Sequence, residues 1–466
     1  MNTSPRSIFI DTISRITGRD GTGTRSRARH GATRFRRAFL LAALCASSAG
    51  AAVTPPSGFT ALYNGHDLSG WRGGETFDHR QWLALAPAVR AAKETAWTAD
   101  MRKHWRAEGD ELVNDGAGQY ATTIKDYGDF ELLVDYKTVP RADSGIYLRG
   151  CPQVQIWDST EADKFSLGAD KGSGGLWNNS PGAPGKDPLV KADRPFGEWN
   201  HFRVVMVGAR VTVWLNDQLV VDHALLENYY DRKMPVPAHG PIQLQTHDGE
   251  IRWRKIFIRE IGADEARAWL EHHDEDASFK PVFNGEDFTG WAGPLDNYEI
   301  VDGAIVCRPK LGGTIFTKEE FSDFAVRLEF KVPPGGNNGL AIRYPGEGDT
   351  AYVGMCECQV LDDNYEQVTG NKIDPRQAHG SAYGMVAAAR GYQRPAGEWN
   401  FEEVTVKGST IRVELNGTKI LDGDLRKVTE FMANHPHPGK DRTSGAFGFA
   451  GHNDPVAFRR ILIKRL

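Results

Sequence analysis

The same series of sequence motifs occurs twice in this chain, and this internal repeat constrains the fold more than any other feature. Residues 58–71 match residues 278–291, both ending in Asn-Gly-x-Asp-x-x-Gly-Trp. Gly-Glu-Trp-Asn occurs identically at 197–200 and 397–400. Because the motifs keep one order along the chain, the sequence predicts two tandem copies of one domain.

Within each copy, apolar and polar residues alternate in many short segments. Residues 130–136 and 211–215 show this pattern in the first copy, and residues 324–330 and 411–415 show it in the second. Such alternation is typical of strands with one buried face. Many short strands separated by Gly, Asn and Pro turns predict an all-β fold, in which each copy is an antiparallel sandwich of two sheets.

Interruptions of the alternating pattern define the predicted domain boundaries. The first domain extends over residues 55–261 and carries a helix-compatible insertion near residues 78–104. Residues 262–277 form a charged linker with a helix around 264–273, and the second domain extends over residues 278–466. The chain is therefore predicted to consist of two sandwiches joined by a short, partly helical linker.

The first 51 residues have the composition of an export signal with an N-terminal extension. Arg36 and Arg37 precede a short apolar run at residues 40–46, which is followed by small residues. The run is too short to span a bilayer, so no stable membrane insertion is expected. The paired arginines resemble a twin-arginine signal, although Phe35 stands in place of the usual Ser or Thr. We expect an exported protein, either periplasmic or secreted.

Charge argues against a nucleic-acid partner. The whole chain has a formal net charge of −5, but residues 1–51 contain nine Arg and two Asp. The remainder therefore has 47 Lys and Arg against 59 Asp and Glu, a net charge of −12. Nucleic-acid binding requires a basic surface, which this acidic remainder does not predict.

One strand of the second copy carries two polar residues on the same face. In Cys-Glu-Cys-Gln-Val-Leu-Asp, residues 356–362, the period of two places Glu357 and Gln359 side by side. The corresponding stretch of the first copy, residues 151–158, has Gln153 and Gln155 at these positions. A carboxylate accepts a proton and an amide does not, so acid–base chemistry is expected in the second copy rather than the first.

Taken together, these motifs resemble the 3-keto-disaccharide hydrolase domain family over nearly all of residues 58–261 and 278–466. The second copy resembles the family pattern more closely, in residues 354–362, 379–384 and 451–453. The resemblance implies that each copy is a concanavalin/laminin-G-like jelly roll. It also implies hydrolysis of 3-keto-glycosides or 3-keto-disaccharides by elimination and hydration, with a carbohydrate as the partner.

That chemistry selects the candidate site residues. A ketone at C3 acidifies the proton on C2, so elimination requires an acid–base group and polar groups that hold the sugar oxygens. Glu357 and His452 are the candidate catalytic residues. The candidate substrate-binding residues are Gln359, Asp362, Arg343, His379 and Tyr383 in the second copy, and Gln153, Gln155, Asp158, Arg149, Trp177 and His247 in the first.

Four questions remain open at this level. The paired polar residues on one strand are also compatible with a structural hydrogen-bonded network, and Trp157 and Trp177 with either a sugar platform or an aromatic core. Asp158 and Asp362 are candidate oxygen ligands for a divalent metal such as Ca²⁺, although no Asp-x-Asp-x-Asp-Gly loop occurs. The alternatives to an enzyme are a lectin-like protein that binds glycans without turnover and a structural module of the cell envelope.

Overall fold

The computed structural model describes residues 54–273 and 276–466. The predicted export signal, residues 1–51, lies outside the described residues. Within the described ranges, no helix is long and apolar enough to cross a membrane.

The first domain is an antiparallel β-sandwich, as predicted. Its strands are β1 (Thr60–Ala61), β2 (Trp71–Gly74), β3 (Trp105–Glu108), β4 (Glu111–Asn114), β5 (Tyr120–Thr123), β6 (Phe130–Thr138), β7 (Asp143–Leu148), β8 (Cys151–Trp157), β9 (Asn200–Val207), β10 (Arg210–Leu215), β11 (Gln218–Leu225), β12 (Gln243–Leu244) and β13 (Ile251–Glu260). The eight-stranded sheet has the order β11-β10-β9-β6-β13-β4-β3, with β1 paired to β13, and the five-stranded sheet has the order β2-β5-β12-β7-β8.

The second domain repeats this topology. Its strands are β14 (Lys280–Pro281), β15 (Trp291–Ala292), β16 (Tyr298–Val301), β17 (Ala304–Cys307), β18 (Gly312–Phe321), β19 (Phe324–Lys331), β20 (Asn337–Tyr344), β21 (Cys356–Leu361), β22 (Asn400–Lys407), β23 (Thr410–Leu415), β24 (Thr418–Asp424), β25 (Gly445–His452) and β26 (Ala457–Arg465). The eight-stranded sheet has the order β16-β17-β26-β19-β22-β23-β24, with β14 paired to β26, and the five-stranded sheet has the order β15-β18-β25-β20-β21.

Helices occur in the two segments that break the strand pattern and at two places near β21. The insertion of the first domain forms two helices, the linker forms one, and two short helices flank β21. The α-helices are α1 (His79–Ala84), α2 (Pro87–His104), α3 (Ala263–His273), α4 (Thr350–Val353) and α5 (Tyr365–Thr369). Short 3-10 helices are Ala162–Leu167, Ala169–Lys171, Leu295–Asn297, Pro375–Gln377, Leu425–Lys427 and Met432–Asn434.

The core of each domain lies between its two sheets, and strand alternation determines which residues enter it. In β19, Phe324, Val326, Leu328 and Phe330 are all buried in the second core. Intervening polar residues face away from that core, and the buried carboxylate of Glu329 accepts a hydrogen bond of 2.7 Å from an Arg459 nitrogen. Burying each of these apolar side chains stabilises the folded protein by about 1.5–3 kcal/mol relative to leaving that side chain exposed.

The linker helix packs between the two domains, and polar contacts such as the ion pair of Arg210 with Glu414 join them. Ala266 and Leu270 of α3 pack with Val205 of the first domain and Phe401 of the second in one apolar cluster. Beside it, Nε and Nη2 of Arg210 donate to the two carboxylate oxygens of Glu414 at 2.8 and 2.7 Å. The linker is therefore part of the packing between the domains rather than a solvated connection.

Candidate active site in the second domain

Strand β21 forms the edge of the five-stranded sheet and supplies the polar residues of the site. Cys356, Cys358 and Val360 point into the second core and are fully buried. Glu357 and Gln359 point to the opposite face of the sheet, each with 3% of its surface exposed. Burying a carboxylate costs free energy unless it is paired, so its neighbours determine what it can do.

The side chain of Glu357 lies across the neighbouring strand at Gly339. A Cβ atom added at Gly339 would lie 2.2 Å from Glu357 Oε1 and 2.3 Å from its Cγ. Only glycine leaves space for the carboxylate in this position. Gly339 follows Asn338, whose side-chain oxygen accepts a 2.9 Å hydrogen bond from the Gly339 amide.

A second segment pairs with the outer edge of β21 and brings a tyrosine to the site. The Gln359 amide donates to the Ser381 carbonyl at 3.0 Å, and the Gly380 amide donates to the Gln359 carbonyl at 2.7 Å. The Tyr383 amide donates to the Glu357 carbonyl at 2.9 Å, which holds Tyr383 beside the acid. The Tyr383 hydroxyl accepts a 3.1 Å hydrogen bond from Gln377 Nε2.

These side chains surround a cavity of about 260 Å³ on this face of the sheet. Its polar lining combines carboxylates, amides, an imidazole and three tyrosines. The lining residues are Asn337, Asp349, Ala351, Tyr352, Glu357, Gln359, Leu361, Tyr365, Ile373, Gln377, Tyr383 and His452. Cavities that combine flat aromatic walls with a few fixed polar groups are typical of small-molecule sites.

Glu357 and His452 form an ion pair in the cavity. His452 Nε2 lies 3.6 Å from Glu357 Oε1, and the imidazole is about half exposed while the carboxylate is buried. Burial raises the pKa of Glu357 above its ordinary value of 4.5, although His452 partly opposes this. The carboxylate in turn raises the pKa of His452 above its ordinary value of 6.5. When Glu357 has lost its proton and His452 has kept its own, the pair consists of an ionised base beside a protonated acid.

The side chain of Gln359 uses only part of its hydrogen-bonding capacity. Its Nε2 donates to Asn337 Oδ1 at 2.7 Å. Its Oε1 is buried and has no hydrogen-bond partner among the described residues. A buried, unpartnered amide oxygen costs about 1–3 kcal/mol, and a donor such as a sugar hydroxyl would offset that cost.

The structure therefore brings together four of the predicted residues of the second copy: Glu357, His452, Gln359 and Tyr383. Arg343 is not among them. Its guanidinium is buried, pairs with Asp323 at 2.9 Å and donates to the carbonyls of Ser322, Gly408 and Arg442. These contacts fix the end of β20, and Arg343 does not line the cavity.

Arg149 of the first copy has the same structural role. It is 1% exposed, pairs with Asp129 at 2.9 Å and donates to the Gly128 carbonyl at 2.7 Å. Its donors therefore hold the strand corner, as those of Arg343 do in the second copy.

Asp362 and His379 also lie outside the cavity lining. The carboxylate of Asp362 accepts hydrogen bonds from the amides of Gly335 at 2.7 Å and Asn364 at 3.0 Å, so it shapes the turn after β21. His379 is buried, with its ring 4.8 Å from that of Phe330. Its Nε2 lies 3.2 Å from Glu402 Oε2, but the two are not aligned for a hydrogen bond. The structure therefore gives both side chains contacts within the fold and does not bring them to the cavity with Glu357.

In the first domain, the corresponding face is occupied by its own side chains. Gln153 Nε2 donates to Gln155 Oε1, and Gln155 Nε2 donates to Asp143 Oδ1 at 2.8 Å. Lys164 reaches the same Asp143 at 3.1 Å. Asp158 caps a turn by accepting from the amides of Arg141 and Thr160, each at 2.8 Å. Asp158 is therefore a turn-forming residue, not a ligand-facing one.

The remaining predicted residues of the first domain do not form a second copy of the cavity. Trp177 packs edge-on against Trp157 at 5.6 Å and donates through Nε1 to the Leu167 carbonyl at 3.0 Å. His247 is half exposed, with Nδ1 3.1 Å from Asp248. Because the Gln153 position carries an amide, this domain has no counterpart of the Glu357–His452 pair.

No metal site emerges from the described residues. Within residues 54–273 and 276–466, no group of three or more His, Cys, Asp or Glu side chains has an arrangement that could hold a metal ion. Asp158 and Asp362, the candidate Ca²⁺ ligands, each use their oxygens to accept backbone amides.

Sequence reasoning missed Asp349, Tyr352, Tyr365, Gln377 and Asn337, which all line the cavity. A signal for the first two was present in the sequence. The connection after β20 contains an additional segment, residues 345–354, where the first copy turns directly from β7 to β8. An insertion confined to one copy, next to its candidate acid, indicates a site-specific element.

Comparison with known protein families also finds the same domain twice in this chain. The model of the 3-keto-alpha-glucoside-1,2-lyase-like domain family matches residues 58–259 and 278–464. A 3-keto-disaccharide hydrolase from Bacteroides thetaiotaomicron is 27% identical over 225 residues, covering 40% of this chain and 77% of the relative. A solved structure from Parabacteroides distasonis, named "Putative glycosyl hydrolase", is 28% identical, with a TM-score of 0.36, and covers 40% of this chain and 99% of that one.

Proposed function

The chain belongs to the 3-keto-alpha-glucoside-1,2-lyase-like domain family, and from this membership and the site geometry we propose that it cleaves the glycosidic bond of 3-keto-glycosides. Family membership and the relative named 3-keto-disaccharide hydrolase support a carbohydrate-active protein. The observation that best supports the proposed cleavage reaction is the pair of Glu357 and His452, 3.6 Å apart in a cavity lined with tyrosines and amides.

Glu357 is suited to act as the base. A ketone at C3 lets a carboxylate remove the C2 proton, after which the electron pair expels the substituent on C1. Desolvation raises the pKa of Glu357 and so makes its ionised form a stronger base than an exposed carboxylate. Oε1 of Gln359 can accept a hydrogen bond from a sugar hydroxyl, and the Tyr383 hydroxyl can donate to a sugar oxygen on the same face.

His452 is suited to act as the acid. The neighbouring carboxylate favours its protonated form, and its half-exposed position at the cavity edge gives access to a leaving group that projects outwards. Protonating the departing oxygen completes an elimination, and water added across the resulting double bond gives net hydrolysis. General acid–base catalysis of this kind contributes about a hundredfold to ten-thousandfold.

We assign this chemistry to the second domain alone. Gln153 takes the position of the acid in the first domain, and an amide cannot remove a proton. The ion pair of Lys164 with Asp143, at 3.1 Å, also fills the face on which a substrate would lie. Export of the protein, predicted from residues 1–51, would place this activity in the periplasm or outside the cell.

The test is to incubate the full chain with a 3-keto-disaccharide and, in parallel, with the same disaccharide without the oxidation. We expect release of monosaccharide from the oxidised substrate only, because only its C2 proton is acidic. Tight binding of unoxidised glycans without release of sugar from either compound would refute the proposal and favour a lectin-like protein.

A further inference from the structure

A loop of the second domain, residues 391–395, lies against the first domain. The hydroxyl of Tyr392 donates to the Val236 carbonyl at 2.9 Å and accepts a 2.7 Å hydrogen bond from Arg80 Nη2. The same Arg80 nitrogen donates to the Pro235 carbonyl at 2.7 Å. Both ends of this contact are well buried, since Tyr392 is 9% exposed and Val236 is fully buried.

The internal repeat shows that the fold itself does not require a tyrosine at this position. In the first domain the equivalent residue is Ala192, whose carbonyl accepts a 2.7 Å hydrogen bond from Asn216 Nδ2. The Tyr392 carbonyl accepts the matching bond from Asn416 Nδ2 at 3.0 Å. The backbone is held in the same way in both copies, but at this position only the second copy has a side chain that reaches across the domain boundary.

The residue after Tyr392 holds the end of the candidate catalytic strand. Gln393 Nε2 donates to the Leu361 carbonyl at 2.8 Å, and its Oε1 accepts from the Asp363 amide at 2.9 Å. Leu361 is the last residue of β21 and lines the cavity, two positions beyond Gln359. A continuous path of hydrogen bonds and one peptide bond therefore links the first domain to this strand.

We propose that Arg80 and Tyr392 are positioning residues through which the first domain fixes β21 in its reactive position. This inference rests on the proposed function, because it takes β21 as the strand that carries the base. It also gives a role to the helical insertion near residues 78–104, since Arg80 belongs to α1 and the second copy lacks this element. The first domain then supports catalysis in the second without reacting itself.

The direct test is hydrogen–deuterium exchange of the full chain, followed in peptides that cover residues 356–363. Tyr392→Phe keeps the ring and removes only the hydroxyl, and Arg80→Met removes the other partner. Arg102→Met is the matched control, because Arg102 is an exposed arginine of the same insertion. Faster exchange at residues 356–363 in both variants, but not in the control, is expected. Unchanged exchange in both variants would overturn the link.

Steady-state kinetics then separates positioning from simple stability. In Tyr392→Phe and Arg80→Met we expect kcat on a 3-keto-disaccharide to fall about tenfold while KM changes less, since small misplacements of reacting groups mainly slow the chemical step. Faster exchange with an unchanged kcat would contradict a positioning role. If the wild type releases no sugar, the proposed function fails, while the exchange experiment still decides whether the first domain holds β21.

Discussion

Substituting Gly339 with alanine should displace the candidate base with little change elsewhere. The new Cβ would lie 2.2–2.4 Å from three atoms of Glu357. Reaching an ordinary contact distance requires a shift of about 1 Å or more. A misplacement of this size costs up to about a hundredfold in rate, whereas overpacking costs about 1–3 kcal/mol of stability. The assay is sugar release from a 3-keto-disaccharide, together with urea unfolding of the same variant.

The repeat supplies a matched control for this substitution. Gly145 occupies the equivalent position in the first domain, where an added Cβ would lie 2.8 Å from Gln153 Cδ. Gly145→Ala should therefore cause a similar loss of stability but leave the rate near that of the wild type. Folded Gly339→Ala protein with a rate within twofold of the wild type would refute the geometric argument, as would an equal loss of rate in Gly145→Ala.

Three further predictions concern the charged groups. The pH profile of kcat/KM should be bell-shaped: activity appears as Glu357 loses its proton, above the ordinary carboxyl pKa of 4.5, and declines as His452 loses its own, above the ordinary imidazole pKa of 6.5. A profile without an alkaline decline would argue against His452 as the acid. Arg343→Met should lower the free energy of unfolding by about 3 kcal/mol, because it leaves three carbonyls without the donor they have now. Urea unfolding measures this, and a neutral result would contradict the structural role of Arg343. Because the pKa of Glu357 is raised in the folded protein, ionising its carboxyl destabilises the fold at pH values above the unfolded-state pKa. Glu357→Gln should therefore have a higher melting temperature than the wild type at neutral pH. The difference between the two melting temperatures should shrink in acid.

The fold could be predicted because the duplication and the strand alternation can both be read directly from the order of residues. The period of two in residues 324–330 is the same pattern that buries Phe324 and Phe330. The insertion that forms α1 and α2 was visible as a segment present in one copy only. How these helices meet the second domain was not visible, since the contact of Arg80 with Tyr392 joins residues more than 300 positions apart.

The site was predictable where one strand carried it and not where several loops assemble it. Alternation alone placed Glu357 beside Gln359 on one face. The contacts of Arg343 could not be predicted, because residue type does not reveal whether a guanidinium meets a ligand or the carbonyls of a strand corner. Asp349 and Tyr352 were missed because their segment has no regular pattern, and only its length relative to the first copy marked it.

The central claim, that Glu357 is the base for cleavage of a 3-keto-glycoside, is tested most directly by comparing the wild type with Glu357→Gln. The amide keeps the shape of the side chain and removes its ability to accept a proton. With a 3-keto-disaccharide as substrate, we predict that the rate of sugar release falls about a hundredfold or more in the variant. A rate within twofold of the wild type would contradict the assignment.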